Sequence, residues 1–314
     1  MTGSPISSQT DKHKNPTGYI ILIGALVGVN YASAKLVTQA GVTALSATLA
    51  QLLLAGLFLY LLLRLKREQL SFRRDHIKYY ILNGFLGITV PTLIAYWVLK
   101  YIPAWLLTVL VTLSPLITAG LTSLVERKLI DPQRLLGITI GLAGISLVTF
   151  SSVQEGQFDP IWILFGAAMP LSLAIANIYR NKAYPRDTTS VGVASGTMFS
   201  QVLLLLPALL LIDDPAAAAG SMTTVWWIVL GIGLLTAGSY ALTFFIQNRT
   251  DSVGFSQVGY FATISGVLVA ALVFAEPISP VIFVAIAVLF VGLALTNGHL
   301  QLPSLRSSNS QHNK

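Results

Sequence analysis

The chain has 314 residues, of which 54% are hydrophobic and only 10% are charged, and its mean hydropathy is +0.74. A soluble domain carries roughly 25% charged residues, so this composition excludes an ordinary soluble protein and indicates an all-α polytopic membrane protein. The net charge of +7 could suggest a nucleic-acid-binding protein, but the basic residues are distributed as the topology of a membrane protein requires. We therefore expect a lipid bilayer around the chain and no nucleic-acid partner.

Apolar runs of about 20 residues, the length that spans a bilayer, recur along the chain. They predict ten transmembrane helices, at residues 18–38, 43–63, 79–99, 104–125, 135–153, 160–179, 190–212, 223–246, 253–275 and 278–297. The polar segment 1–17 precedes them and is not expected to be a cleavable signal, because no small-residue cleavage site follows the first apolar run. Residues 300–314 are rich in Ser, Asn and Gln and are expected to form a disordered cytoplasmic tail.

Lysine and arginine residues fall mainly on one side of these predicted helices. With the N-terminus inside the cell, 17 of the 19 basic residues lie in inside segments, and the exceptions, Lys35 and Lys100, lie at the outer ends of helices. The positive-inside rule then places both termini in the cytoplasm and requires an even number of spans. Lys35 is expected to extend to the outer membrane surface rather than to bind a carboxylate.

An internal repeat relates the two halves of the chain. Residues 105–150 and 254–297 share a corner followed by a glycine-bearing helix, and the matched pairs are Glu126 with Glu276, Pro132 with Pro280 and Gly144 with Gly292. Each half holds five predicted helices, so the second half must enter the membrane from the opposite side. The sequence thus predicts two inverted five-helix repeats, at 18–153 and 154–299, with a substrate site between them near mid-membrane, as in secondary transporters.

Taken together, these features resemble the EamA-type branch of the drug/metabolite transporter superfamily. The shared features are ten helices in two halves, both termini inside, and a Glu–turn–Pro corner before a glycine-bearing helix. The aromatic-rich lining and the basic inner loops are most similar to the YddG-type bacterial exporters of aromatic amino acids. The resemblance implies an exporter or facilitator of small metabolites in the bacterial inner (plasma) membrane, which works by alternating access.

Polar and aromatic side chains within the predicted helices are the candidates for a substrate cavity, because polar groups in a bilayer are costly unless they are partnered or functional. The substrate-binding candidates are Asn30, Tyr31, Gln51, Tyr79, Asn83, Tyr96, Trp97, Trp162, Met169, Ser172, Ser239, Tyr240, Phe244, Tyr260 and Thr263. Pro91, Pro115 and Pro170 are candidate hinge or gating residues, since proline breaks a helix hydrogen bond. Packing roles stay open: helix–helix hydrogen bonds for amides, interfacial belts for aromatics and locally satisfied carbonyls beside prolines.

The acidic residues and histidines all lie in loops or at helix ends of the predicted topology. Proton-coupled carriers usually keep an ionisable relay inside the bilayer, so we expect facilitated movement through a central cavity without permanent charge, or else coupling through a group near a helix end. Aromatic side chains with neutral amides and hydroxyls suit an aromatic ring and a zwitterionic backbone, which favours amino acids as substrates.

Other functions stay open at this stage. A sugar phosphate or nucleotide sugar would require Lys or Arg deep in both halves, a cationic drug would require a mid-membrane Glu, and a lipid-linked sugar is harder to exclude. Outside transport, the alternative is a membrane assembly subunit. The helices at 135–153 and 278–297 carry glycines but no charged residue, so they are expected to form a packed rim or a homodimer face. Without cysteine or a catalytic or nucleotide-binding motif, we expect no enzyme, metal site or cofactor.

Overall fold

The computed structural model describes residues 16–127, 129–154, 159–185, 187–213, 215–247, 255, 257–274, 276, 280–298 and 300. All regular secondary structure within these residues is helical. The predicted polar N-terminus and the predicted C-terminal tail lie almost entirely outside the described residues.

Twelve helices, counted over the described ranges, make up the fold. The first half contains α1 (Pro16–Gln39), α2 (Ala44–Leu65), α3 (Arg74–Gly84), a π-helical segment (Phe85–Thr89), α4 (Val90–Val98), α5 (Ala104–Val111), α6 (Leu113–Val125) and α7 (Pro132–Gln154). The second half contains α8 (Ile161–Ala183), α9 (Ser190–Ile212), α10 (Pro215–Gln247), α11 (Val258–Phe274) and α12 (Pro280–Thr296).

Each predicted transmembrane segment overlaps one of these helices or a consecutive pair. In the described part of the chain, seven helical stretches are long and apolar enough to cross a membrane, and α11 and α12 are shorter apolar helices. The architecture agrees with a polytopic membrane protein. The number of ten spans and the orientation of the termini stay predictions.

Two of the predicted segments are interrupted, and a proline lies next to each interruption. Pro91 follows the π-helical segment at 85–89, and Pro115 lies in the first turn of α6, just after Thr112 separates α5 from α6. A proline lacks the N–H that would bond the carbonyl four residues earlier, so the regular ladder stops at both places. Pro170 differs, because α8 continues through it as a single helix.

Helices α7 and α12 pack against each other through their glycines. Gly144 lies against Ala285 and Leu289, and a Cβ on Gly292 would lie 2.3 Å from the backbone nitrogen of Gly141. Small residues allow this close backbone approach, so the glycine-bearing helices form a packed rim with one another.

Helix α2 crosses α9 in the opposite chain direction. The hydroxyl of Ser46, in the first turn of α2, donates to Asp213 at the end of α9 over 2.7 Å, while Gly56 further along α2 faces Met198 and Phe199. The α7–α12 pair is antiparallel as well, since Gly137 lies against Thr296 whereas the later Gly144 lies against the earlier Ala285.

Helix α5 likewise crosses α11 in the opposite direction. The hydroxyl of Thr263 donates to the carbonyl of Thr108 over 2.7 Å, and Thr112, four residues later, faces Gly259. In the predicted repeat, α2 corresponds to α9, α7 to α12, and α5 with α6 to α11. Corresponding helices that cross antiparallel are expected of two halves inserted in opposite directions.

Candidate substrate cavity

A cavity of about 110 Å³ lies between α1, α2, α4, α8, α10, α11 and the junction of α5 with α6. Its walls come from both halves of the chain, and the apolar part includes Ile23, Val27, Leu173 and Val258. The volume is well below the roughly 300–1,000 Å³ of pockets that hold a drug-sized ligand. The cavity in this conformation therefore suits a small metabolite.

A hydrogen-bond network joins four helices at the cavity wall. Tyr96 donates its hydroxyl to Gln51 Oε1 over 2.7 Å, and Gln51 Nε2 donates to Thr236 Oγ1 over 2.8 Å. Asn30 Nδ2 donates to the same Thr236 oxygen over 2.7 Å and to the carbonyl of Ile232 over 3.4 Å. The network satisfies buried polar groups and also gives the cavity a neutral polar surface.

Arg180 corrects the expectation of a cavity without permanent charge. Its side chain is buried and lines the cavity, and its Nε donates to Asn83 Oδ1 over 2.7 Å. The predicted helix ended at residue 179, which placed Arg180 among the inner loop charges, but α8 continues to Ala183. The missed signal is its spacing, because Leu173, Asn177 and Arg180 share one helix face.

The π-helical segment makes room for this guanidinium. A Cβ on Gly87 would lie 2.3 Å from Arg180 Nη2, so glycine allows the charged group to pack against the backbone. The Tyr240 hydroxyl donates to the carbonyl of Gly87 over 3.0 Å, and the Ser172 hydroxyl donates to the carbonyl of Leu86 over 2.6 Å. These two carbonyls lie four and five residues before Pro91, where the proline provides no N–H.

Several predicted candidates lie at the cavity and others lie away from it. The cavity is lined by Asn30, Tyr31, Gln51, Tyr96, Ser239, Tyr240 and Pro115. The structure places Tyr79, Asn83, Trp97, Trp162, Met169, Ser172, Phe244, Tyr260, Thr263, Pro91 and Pro170 outside this lining. The polar lining residues that the candidate set did not include are Arg180, Asn177, Thr92, Ser114, Thr236 and Thr243.

Most candidates outside the lining are held by packing contacts. Trp97 and Trp162 meet edge to face at 5.7 Å between ring centroids, and Trp162 also stacks on Tyr101. Tyr79 stacks on Tyr179 at 5.7 Å, and Tyr260 packs against a neighbouring ring. Aromatic rings in such pairs stabilise helix contacts through their area and geometry, so hydropathy and depth alone did not separate packing rings from lining rings.

Three further candidates fill the helix interfaces around the cavity. Met169 is completely buried in the main apolar cluster, and Phe244 is completely buried beside Tyr184 and Tyr240. Thr263 bonds the carbonyl of Thr108 across the α5–α11 contact. Each of these side chains therefore packs outside the cavity lining and supports the helices that form it.

Lys35 forms an ion pair with Glu276, against the expectation that it extends to the membrane surface. The Glu276 carboxylate also accepts hydrogen bonds from the backbone N–H groups of Ala104, over 3.1 Å, and Trp105, over 3.4 Å. These groups belong to the first turn of α5, where a negative charge is favourable. Ala34 lines the cavity, whereas Lys35, the next residue of α1, lines a second pocket together with Trp105 and Glu276.

Comparison with known families gives a match over the first half of the chain. Residues 17–150 match the model of the EamA-like transporter family. An EamA-like transporter family domain is present. The domain indicates a membrane transporter of small molecules. No curated protein matches the chain.

Comparison with solved structures concerns the fold. One crystal structure superposes with a TM-score of 0.66 at 17% sequence identity, and the alignment covers 88% of this chain and 96% of that one. A likeness at this identity shows a shared fold alone.

The EamA domain supplies only part of the cavity. Asn30, Gln51 and Tyr96 lie within residues 17–150, whereas Arg180 and Thr236 lie beyond them. Because the polar network and the charged group need both parts of the chain, the site is complete only when the EamA domain packs against α8, α10 and α11.

Proposed function

We propose that this protein is a secondary transporter that exports or facilitates the movement of small metabolites, foremost amino acids including aromatic ones. The observation that carries the proposal is the central cavity, which residues of both halves enclose beside an EamA-like transporter domain. A non-transporting subunit would not need a hollow centre lined by Asn30, Gln51 and Arg180. The proposed location is a bacterial inner membrane.

Alternating access follows from the inverted-repeat hypothesis. The antiparallel crossings of α2 with α9, α5 with α11 and α7 with α12 support two halves that are related by an axis in the membrane plane. Motion of one half against the other would open the cavity to each side in turn. A homodimer stays a hypothesis without support from α7 and α12, because their glycine faces are occupied by one another.

Facilitated movement is the mechanism that the lining favours. Within the described residues, the cavity wall contains Arg180 but no Asp, Glu or His. A proton relay normally uses one of these groups inside the membrane. We therefore expect substrate to move down its own gradient.

Aromatic amino acids fit the chemistry of the lining. Tyr31, Tyr96 and Tyr240 present phenol rings to the cavity, next to the amides of Asn30 and Gln51. Rings can pack against an aromatic side chain, while amides and hydroxyls can bond an ammonium or carboxylate group.

Substrate counterflow in liposomes tests the proposal. Purified protein is reconstituted with unlabelled L-tryptophan, L-phenylalanine or L-threonine inside, and uptake of the labelled compound is followed. We expect transient accumulation of at least one aromatic amino acid. If none of the three compounds accumulates, the amino-acid assignment is wrong. If no compound in a wider set of metabolites accumulates either, the transport proposal is wrong.

A matched pair of variants links transport to the cavity. Val27 lines the cavity, so Val27→Phe should obstruct it and reduce counterflow. Val284 of α12 is 58% exposed, so Val284→Phe should leave counterflow unchanged. Equal rates in both variants would place the transport route elsewhere.

A further inference from the structure

The uncharged polar side chains around the cavity differ in whether the protein itself bonds them. One set is the hydrogen-bond network that centres on Thr236, whose members bond one another. Another set comprises Ser114 of α6, Asn177 of α8 and Thr243 of α10, each of which lines the cavity and is 5% exposed. These three side chains have no hydrogen-bond partner among the described residues. Buried polar groups are normally bonded, so the three are available to a group inside the cavity.

The two hydroxyls of this set differ from other hydroxyls inside helices of the same protein. Thr108, Thr197 and Thr296 each donate to a backbone carbonyl three or four residues earlier in their own helix, which is the usual local bond of such side chains. Ser114 and Thr243 do not make this bond. Their hydroxyls therefore keep both the donor and the acceptor function for a ligand.

The unbonded side chains on α8 and α10 lie to one side of the network. Thr243 follows Thr236 by seven residues on α10, which is about 10 Å along a helix axis. Asn177 lies in the last two turns of α8, and in the predicted topology both helices end on the cytoplasmic side. Because the cavity holds only about 110 Å³, one small ligand fills it and can contact side chains from all three helices.

The donors and acceptors of this set indicate what the ligand must carry. An amide offers two N–H donors and a carbonyl acceptor, so a ligand without donors would leave the Asn177 carbonyl unbonded, and a ligand without acceptors would leave its NH₂ group unbonded. We propose that Ser114, Asn177 and Thr243 form the subsite that binds the head group of the substrate. This head group carries both an N–H donor and an oxygen acceptor, as that of an α-amino acid does. The inference rests on the transport function proposed above.

Four compounds with the same phenyl ring test the required head group. L-Phenylalanine and L-phenylalaninamide carry donor and acceptor together, whereas 2-phenylethylamine lacks the acceptor and 3-phenylpropionate lacks the N–H donor. Their binding to the purified full-length protein in detergent is measured by isothermal titration calorimetry. We expect the first two to bind about tenfold more tightly than the last two, because an unmade bond to a buried polar group is costly. Equal affinity for L-phenylalanine and either of the last two, or binding of none of the four, would overturn the inference.

Asn177→Leu tests the central residue of the subsite. Leucine has a similar size but neither donates nor accepts, so the affinity for L-phenylalanine and its amide should fall about tenfold, while the two weaker compounds should change little. Since Asn177 bonds no protein group among the described residues, the variant should unfold in detergent at the same temperature as the unchanged protein. Equal weakening of all four compounds, or a marked loss of thermal stability, would assign Asn177 to packing and contradict the subsite.

Thr243→Val removes one hydroxyl at nearly constant shape. We expect the affinity for L-phenylalanine to fall about two- to tenfold, which corresponds to one hydrogen bond. Thr139→Val is the matched control, because Thr139 is an exposed residue of α7 whose hydroxyl bonds the carbonyl of Leu135 in its own helix. An equal loss of affinity in both variants would contradict the role of Thr243.

Counterflow in liposomes separates this inference from the transport function. If the unchanged protein transports a solute, and Asn177→Leu binds and transports this solute equally well, the subsite is wrong and the transport function stands. If Asn177→Leu weakens the binding of L-phenylalanine as expected, but the unchanged protein transports no solute, the subsite stands and the proposed function fails.

Discussion

Replacement of Glu276 by Gln should open one end of the cavity. Glu276 pairs with Lys35 of α1 and accepts hydrogen bonds from the first two amides of α5. Glutamine keeps the size of the side chain but removes the charge that both partners use. The contact joins three parts of the fold one residue beyond Ala34 of the cavity wall, on the outer side in the proposed orientation.

The size of the effect follows from the burial of the pair. The side chains of Lys35 and Glu276 are 14% and 9% exposed, so the pair is neither a free surface contact nor completely buried. Loss of one partner costs about 3–5 kcal/mol in a fully buried pair and about 0–1 kcal/mol at a surface. We therefore expect about 2–3 kcal/mol, which corresponds to a shift of about 30- to 150-fold toward the open form.

Cysteine labelling measures this shift without interference, because the sequence contains no cysteine. Ala34→Cys introduces one thiol at the cavity wall, and its reaction with a membrane-impermeant thiol reagent is followed from each side. With Glu276→Gln the rate from the outer side should rise at least about tenfold.

Three results would refute this reasoning. The first is an unchanged labelling rate in Glu276→Gln. The second is an equal rise in Glu126→Gln, which changes the matching glutamate at an exposed corner and serves as the control. The third is a double variant, Lys35→Met with Glu276→Gln, whose effect equals the sum of the single effects, since partners in one ion pair are not additive.

Three further substitutions have expected outcomes. Gln51→Leu leaves the Tyr96 hydroxyl buried without its acceptor and should lower the free energy of unfolding by about 1–3 kcal/mol, measured by thermal unfolding in detergent. Gly292→Ala should cost about 1–3 kcal/mol in the same assay, because its Cβ would meet backbone. Gly231→Ala, with nothing within 4 Å, is the control and should be at least as stable as the unchanged protein, because alanine favours a helix over glycine. Gly87→Ala would displace the end of the Arg180 side chain and would also place its Cβ 2.9 Å from the Cβ of Ala176, so we expect a loss of stability similar to that of Gly292→Ala in the same assay.

The helices could be predicted from the sequence because an apolar run of membrane length has one stable form in lipid. Part of the polar network could also be predicted from the sequence, because burying Asn30, Gln51 and Tyr96 in a bilayer is costly unless they face one another or a cavity. Both helix breaks lie beside predicted hinge prolines, Pro91 and Pro115. These inferences depend on the free-energy cost of placing a given residue type in lipid, and this cost can be judged from the residue without knowing its neighbours.

The faces of the helices could not be predicted in this way. Trp97 and Tyr96 are adjacent in the chain, yet only Tyr96 lines the cavity, while Trp97 packs with other aromatic rings. Arg180 was counted with the loop charges because a helix end is uncertain by several residues. Its inward position depends on the room left by Gly87 on another helix, and such a tertiary fit is not visible in one segment.

The two proposed halves supply different contacts at corresponding positions. At the spacing of 142 residues that relates Asn30 to Ser172, Lys35 of α1 corresponds to Asn177 of α8. An amide at this position cannot form an ion pair with Glu126, the counterpart of Glu276, so the two proposed halves do not close their ends with the same contact. In the proposed orientation the Lys35–Glu276 pair would stabilise closure at the outer end, whereas Asn177 cannot supply an equivalent pair at the inner end. A carrier with these unequal closures should rest open toward the cytoplasm, which is why Glu276→Gln should change outer access and Glu126→Gln should not.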